Sequence, residues 1–262
     1  SVRWLQLDAD AAAIGRNFPV DLGLVGDLDA GLGALADTLE PRLSASHRQR
    51  AADRLAAGTQ SQQAARASLE RELEAQRQQR PMSLLTCVAA VCRPLPGDVA
   101  IVEEAISTHH NTLARLHVPR DPAAYFAHRG WALGWGVGCA VGVRLAWPQR
   151  PVVALLGDGS ALFGLQGLWT AAHYRLPVIY VITNNAQYGI LKMGGQAMEL
   201  PRLSAGQHLG IDLVDPEVDF VAVAQGLGVP AARVTEPQDL SERVAAALAG
   251  SGPVLLDVAI ER

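Results

Sequence analysis

Between Pro151 and Lys192 the chain reads PVVALLGDGSALFGLQGLWTAAHYRLPVIYVITNNAQYGILK, and few folds accommodate such a stretch. It opens on a continuous apolar run, Val152 to Leu156, of a length that suits a buried strand. Gly157-Asp158-Gly159-Ser160 breaks the run. A helix-compatible segment follows from about Leu162 to Tyr174, and Pro177 closes it. A second apolar run, Val178 to Thr183, ends in Asn184-Asn185. Strand, helix, strand at this spacing is a βαβ unit, which makes the two strands parallel. Both polar clusters then fall at carboxyl ends of strands, the edge at which open α/β sheets bind ligands.

The residue types at that edge define a chemistry. Asp158 offers a hard anionic oxygen and Asn185 a hard neutral one. Mg²⁺ takes oxygen ligands in octahedral geometry and shares them with waters and substrate phosphates. Gly157 and Gly159 let backbone approach an anion and adopt dihedrals other residues avoid. Ser160 stands where the next helix is predicted to begin, so free N–H groups face the same spot. Together these features describe a Mg²⁺–diphosphate clamp. Taken singly, GDGS reads as a turn and Asn-Asn as a loop; their pairing across 24 residues, Ser160 through Thr183, is what carries weight.

GDG, an interval of this length and then NN resembles the signature of thiamine-diphosphate enzymes. The wider text from Gly157 to Lys192 resembles their decarboxylase and acetolactate-synthase branch, most closely the benzoylformate decarboxylases. The likeness is loose before Asp98 and tight from Tyr125 to Lys192. It implies an α/β fold, a doubly wound parallel sheet that binds the diphosphate, preceded by part of a second α/β domain. It also implies thiamine diphosphate and Mg²⁺ as cofactors, with Asp158, Asn185 and the Gln187 backbone carbonyl as metal ligands. Gly157, Gly159, Ser160, Tyr188 and Gly189 belong to the cofactor loops. Leu133 corresponds to the apolar residue that pushes the cofactor's two rings into a V. The Trp131 carbonyl corresponds to the acceptor for the aminopyrimidine amine, although relatives usually carry a small residue there. Ile190 and Leu191 correspond to substrate-pocket positions, where apolar side chains suit an apolar 2-oxo acid; continuation of a core helix is the plainer reading.

Upstream, VAIVEEA between Asp98 and Ala105 reads as the first strand of this domain. Ile106 to Asn111 follow its carboxyl end. Ser107 and Thr108 could there donate to phosphate oxygens. His109 and His110 could serve as catalytic proton donors near neutral pH, or be hydrogen-bonded loop histidines. After Lys192, residues 193–217 carry glycines, prolines and Asp212, Asp215 and Glu217. A mobile lid is the first reading of this long polar segment and a second metal site the lesser one. Helices over Asp219–Leu227 and Pro237–Ala249, with strands near Val229–Val234 and Val254–Ile260, complete the sheet.

The chain of 262 residues divides, on this pattern, into 1–41, a remnant of the middle domain; 42–80, a helical linker; and 81–262, the diphosphate-binding domain. The linker's arginines could mark a nucleic-acid patch, but interleaved glutamates and the lack of aromatics favour a solvated connector. A net charge of −4 suggests no polyanionic partner. No run of about eighteen apolar residues predicts a membrane span. SVRWLQLDAD has neither the basic nor the apolar region of a secretory signal. Cys87, Cys92 and Cys139 form no CxxC pair and read as buried free thiols, which fits a cytoplasmic setting.

The resemblance implies loss of CO₂ from a 2-oxo acid, followed by protonation to an aldehyde or attack on a second carbonyl to give a hydroxy-ketone. AQYGILK after NN, without a following tryptophan-bearing run, leans to the decarboxylase over the acetolactate-synthase carboligase. A non-catalytic cofactor-binding subunit is the third alternative, against which the intact clamp argues. In the family a glutamate of a pyrimidine-binding domain on a neighbouring subunit activates the cofactor, and no matching segment occurs in these residues. The expected partners are therefore the N-terminal part of the same enzyme or a companion chain, within a homodimer or tetramer. This polypeptide alone is expected to bind thiamine diphosphate poorly. FAD is left open and not indicated, and so is the identity of the 2-oxo acid.

Overall fold

The structure, a computed structural model, describes residues 2–105, 112–118, 120–127, 130 and 132–262. The chain divides into two compact units, residues 1–65 and 66–262.

In the first unit, strands β1 (Leu5–Asp8) and β2 (Leu22–Val25) pair in parallel, with Leu5 opposite Leu22 and Asp8 opposite Val25. Helix α1 (Leu28–Leu39) starts at Asp27, whose carboxylate accepts from the Ala30 N–H and so satisfies one donor of the first turn. None of residues 2–65 is buried. Helix α2 (Ala45–Ala75) crosses from this unit to the next; its composition is polar and it has no buried residue.

The second unit holds α3 (Leu84–Cys92), β3 (Ala100–Glu104), α4 (Thr112–Arg115), β4 (Tyr125–Ala127), α5 (Trp135–Ala146), β5 (Val152–Gly157) and α6 (Asp158–Ala161). Next come α7 (Gly167–His173), β6 (Val178–Asn184), α8 (Gly189–Ala197) and α9 (Pro201–Ser204). The unit ends with α10 (Phe220–Gly226), β7 (Ala231–Val234), α11 (Pro237–Leu248) and β8 (Val254–Ala259). The six strands form one sheet in the order β4-β3-β5-β6-β8-β7, and every pairing is parallel.

Each central strand is buried on both faces because alternate side chains enter different cores. Val152, Ala154 and Leu156 join one cluster with Val137 and Ala140 of α5, Leu168 of α7 and Phe220 of α10. Val153 and Leu155 join the other with Val88 and Val91 of α3 and Leu240 and Val244 of α11. Burying each leucine or isoleucine of this kind contributes roughly 1.5–3 kcal/mol. The result is the doubly wound α/β sheet expected from the sequence. Strand order reverses between β3, which continues outward to β4, and β5, which continues to β6. That reversal opens a crevice at the carboxyl edge.

Tyr125–Ala127 forms an edge strand ahead of α5. One local expectation is corrected. The helix read from Leu162 to Tyr174 begins only at Gly167, after turns over residues 162–166. Gly164 explains the delay: a Cβ there would lie 2.1 Å from the Gly134 carbonyl oxygen, so the chain first passes backbone-to-backbone across the start of α5.

Candidate functional site

At the carboxyl edge lies a cavity of about 320 Å³. Its lining combines the turn after β5 (Gly157, Asp158, Gly159, Ser160), the loop after β6 (Asn185, Gln187, Tyr188), and Leu133, Ile190 and Leu191.

Asp158 and Asn185 are both nearly inaccessible, 4% and 6% exposed. Asp158 Oδ1 accepts from the Gly159 N–H at 2.8 Å, and Oδ2 faces the Gln187 N–H at 3.3 Å. Asn185 Oδ1 faces the same N–H, also at 3.3 Å. One anionic and one neutral oxygen therefore converge on Gln187. Burial pushes the Asp158 carboxyl up to about 6; backbone N–H groups of Gly159, Ala186 and Gln187 pull it down in part, while Asp257 pushes it further up. Such a carboxylate, short of counter-charge, is stabilised by a cation.

The loop after β6 is built by long-range pairing. Gln187 forms an isolated antiparallel bridge with Asp212. Its bonds run from Tyr188 N–H to Ile211 C=O (2.8 Å) and from Leu213 N–H to Ala186 C=O (2.9 Å). In this non-hydrogen-bonded register the backbone groups of Gln187 itself turn away from Asp212, and its N–H faces Asp158 and Asn185. Beneath the loop, Asn184 donates to Asp257 at 3.0 Å and its Oδ1 accepts from Ala186 N–H at 3.1 Å.

The glycines act through space, not dihedral freedom: neither Gly157 nor Gly159 has a positive φ. A Cβ on Gly159 would sit 2.3 Å from Tyr188 Cε1, so the phenol ring packs directly on the turn. At Gly157 a Cβ would meet only ordinary contacts. Ser160 does not cap the helix. Helix α6 begins at Asp158, and Ser160 is buried within its single turn.

The structure thus gathers Leu133, Gly157, Asp158, Gly159, Ser160, Asn185, Gln187, Tyr188, Ile190 and Leu191 around one cavity. Gly189 starts α8 beside it. Ile190 and Leu191, 40% and 52% exposed, are not part of the core. Ser107, Thr108, His109, His110 and Trp131 lie outside the described residues. Asp212 of the 193–217 segment is engaged by Lys192 and Arg262, both at 2.7 Å. Among the described residues no three His, Cys, Asp or Glu side chains gather as a metal cluster, so nothing there supports a second metal site.

Several contributors escaped the sequence reading. Ala105, Phe163 and Gly210 also line the cavity. Glu104, fully buried at the end of β3, accepts from the N–H groups of Gly134 (2.5 Å) and Gly136 (2.7 Å) and so fixes the turn that carries Leu133. The signal was an acid at the end of an otherwise apolar strand, since buried carboxylates need donors.

Residues 105–258 match the C-terminal TPP-binding domain of thiamine pyrophosphate enzymes. The chain belongs to this family. It is 36% identical over 179 residues to benzoylformate decarboxylase of Pseudomonas aeruginosa, a match that covers 68% of this chain and 32% of that protein. It is 29% identical over 274 residues to the acetolactate synthase large subunit of Parasynechococcus marenigrum, covering 99% of this chain and 40% of that one. Among solved structures it resembles the thiamine diphosphate-dependent 4-hydroxybenzoylformate decarboxylase of Rhodococcus jostii RHA1. That likeness has a TM-score of 0.75 and 25% identity, and covers 99% of this chain and 44% of the other. The chain therefore spans between about a third and two fifths of the length of these two curated relatives. Among the described residues no helix is long and apolar enough to cross a membrane.

Proposed function

We propose that this chain is the diphosphate-binding part of a Mg²⁺- and thiamine-diphosphate-dependent decarboxylase acting on a 2-oxo acid of the benzoylformate type. The convergence of Asp158, Asn185 and Gln187 in one cavity, beside apolar Leu133, Ile190 and Leu191, carries this proposal. The residues fit the groups they would hold. Asp158 Oδ, Asn185 Oδ1 and the Gln187 carbonyl are hard oxygens of the kind Mg²⁺ selects. Thiamine diphosphate, when bound, supplies the electron-sink chemistry.

The chain's own residues then position and select. Leu133, which lines the cavity, would pack against the cofactor's rings, and the Trp131 carbonyl would be the acceptor for its amine, on the family resemblance. Ser107 and Thr108 would serve as donors to phosphate oxygens, and His109 or His110 as a proton donor, on the family resemblance. Ile190 and Leu191 receive an apolar substrate side chain and exclude water. A pyrimidine-binding part contributed from elsewhere completes the site in a homodimer or tetramer, in the cytoplasm. The unburied apolar side chains of residues 2–65, Trp4, Leu22 and Leu32 among them, support the expectation that further chain covers that unit.

The test begins with the intact mass of every polypeptide in the purified protein, followed by a 2-oxo acid panel with product analysis. Aldehyde as the product supports the decarboxylase. A ligated hydroxy acid would instead support an acetolactate-synthase-type carboligase, the second reading, favoured by the likeness to a synthase large subunit. Cofactor binding without turnover, even after a complementing N-terminal part is supplied, would mean a non-catalytic subunit. Full turnover by the 262-residue chain alone would refute the claim that it is incomplete.

A further inference from the structure

Ala186 sits in the left-handed region, at φ +52°. For a residue with a Cβ this costs about 1–2 kcal/mol, so the surroundings must hold it. Three cross-links do so. The first is the bridge that zips residues 186–188 to 211–213. The second is Lys192, whose Nζ donates to Gln187 Oε1 and to Asp212 Oδ1, each at 2.7 Å. The third is Arg262, which donates to the carbonyls of Asn185 (3.3 Å) and Ala186 (3.0 Å) and to Asp212 Oδ1 (2.7 Å). Asp212 Oδ1 is the common acceptor of both cations, and His208 Nδ1 lies 4.0 Å from Oδ2.

This arrangement sorts the loop's carbonyls. Asn184 C=O accepts from Ile260 N–H, Asn185 C=O from Arg262, and Ala186 C=O from Leu213 N–H and Arg262. The bridge register turns the Gln187 backbone away from Asp212, its N–H faces Asp158 and Asn185, and its carbonyl is not used in the bridge. Without the Asp212 carboxylate, Lys192 and Arg262 would face each other as like charges and leave their stations.

We propose that Asp212 is the positioning residue of this loop: by holding Lys192 and Arg262 together it fixes which carbonyl, that of Gln187, is presented to the metal. The inference rests on the metal reading given above. It assigns Asp212 no contact with metal or cofactor, only control over the group that has one.

The test uses this chain with its complementing N-terminal part supplied, Mn²⁺ as the metal probe with thiamine diphosphate present, and electron paramagnetic resonance of free Mn²⁺. Asp212→Asn keeps the shape and removes the charge. It is expected to raise the Mn²⁺ dissociation constant about tenfold, the scale on which outer partners of metal ligands act. Amide hydrogen exchange is expected to show Tyr188 and Leu213 losing protection while β5 and β6 keep theirs, which separates loosening of the loop from unfolding. Arg262→Gln is expected to move both readouts the same way by less, since Lys192 remains. An Asp212→Asn chain with Mn²⁺ affinity within twofold of the parent and unchanged protection overturns the inference. Asp158→Asn is the discriminating control. If it abolishes Mn²⁺ binding and Asp212→Asn does not weaken it, the positioning role is wrong and the metal reading survives. If Asp158→Asn binds Mn²⁺ as the parent does, or the parent binds none, the metal reading fails, and exchange at Tyr188 and Leu213 alone decides whether Asp212 holds the loop.

Discussion

Gly134→Ala isolates the contact that sets the cavity's entrance turn. Gly134 has φ +93°, and a Cβ there would lie 2.6 Å from the carbonyl carbon of Phe163 and 2.7 Å from its oxygen. These are backbone atoms, so no rotamer change relieves the overlap. The left-handed backbone costs an alanine about 1–2 kcal/mol, and overpacking against fixed atoms about 1–3 kcal/mol more. Gly138→Ala is the matched control. It lies three residues into α5 from Trp135, is exposed, and its Cβ would meet nothing within 4 Å. Relief of glycine's entropy there is worth about 0.5–1 kcal/mol in the stabilising direction. Urea unfolding followed by circular dichroism reads both. Gly134→Ala is expected to lose about 2–5 kcal/mol, which for a unit of this size lowers Tm by roughly 5–15 °C; Gly138→Ala is expected to gain. If Gly134→Ala unfolds within about 0.5 kcal/mol of the parent, the close passage of Gly134 against Phe163 and Gly164 is not as described.

Other outcomes follow from buried groups. Among the described residues the fully buried Tyr180 hydroxyl has no hydrogen-bond partner, so Tyr180→Phe is expected to be neutral or to stabilise by about 1 kcal/mol in the same unfolding assay; a loss of similar size would mean that the hydroxyl is satisfied. Of the three thiols expected to be buried, Cys87 is, whereas Cys92 and Cys139 are half-buried; desolvation still pushes Cys87 and Cys92 up to about 12 and Cys139 to about 11. The thiolate is the reactive form, so at pH 8 native protein should react slowly with a thiol reagent at all three, faster as pH rises toward those values, and fully once unfolded. Rapid stoichiometric labelling of native protein at pH 8 would contradict this placement.

Local pattern made the central strands and several helices legible. Val152–Leu156 and Val178–Ile182 are apolar because both faces of β5 and β6 are covered, and such runs signal themselves. The ends of β5 and β6 carry Asp158 and Asn185 to one edge, as the strand–helix–strand spacing implied, while Leu133, Gln187, Ile190 and Leu191 were legible only through the family resemblance. What stayed hidden depends on contacts between distant segments. The break between α6 and α7 is imposed by Gly164 meeting Gly134, thirty positions earlier in the chain. The hold of Glu104 on the Gly134 and Gly136 N–H groups has no sequence period. The zipping of residues 211–213 onto 186–188 is a bridge of one residue pair, too short for any alternation to mark it. Ser160 was misplaced by one turn because the cap position falls on Gly157, which leaves no side-chain signature.

The most direct measurement is the anomalous scattering of Mn²⁺ in crystals of the protein soaked with thiamine diphosphate and the metal. One peak is expected, about 2.0–2.2 Å from an Asp158 carboxylate oxygen, Asn185 Oδ1 and the Gln187 carbonyl, the distances at which small hard cations are bound. A well-occupied peak away from these three oxygens, or diphosphate bound with no metal beside Asp158, would contradict the clamp.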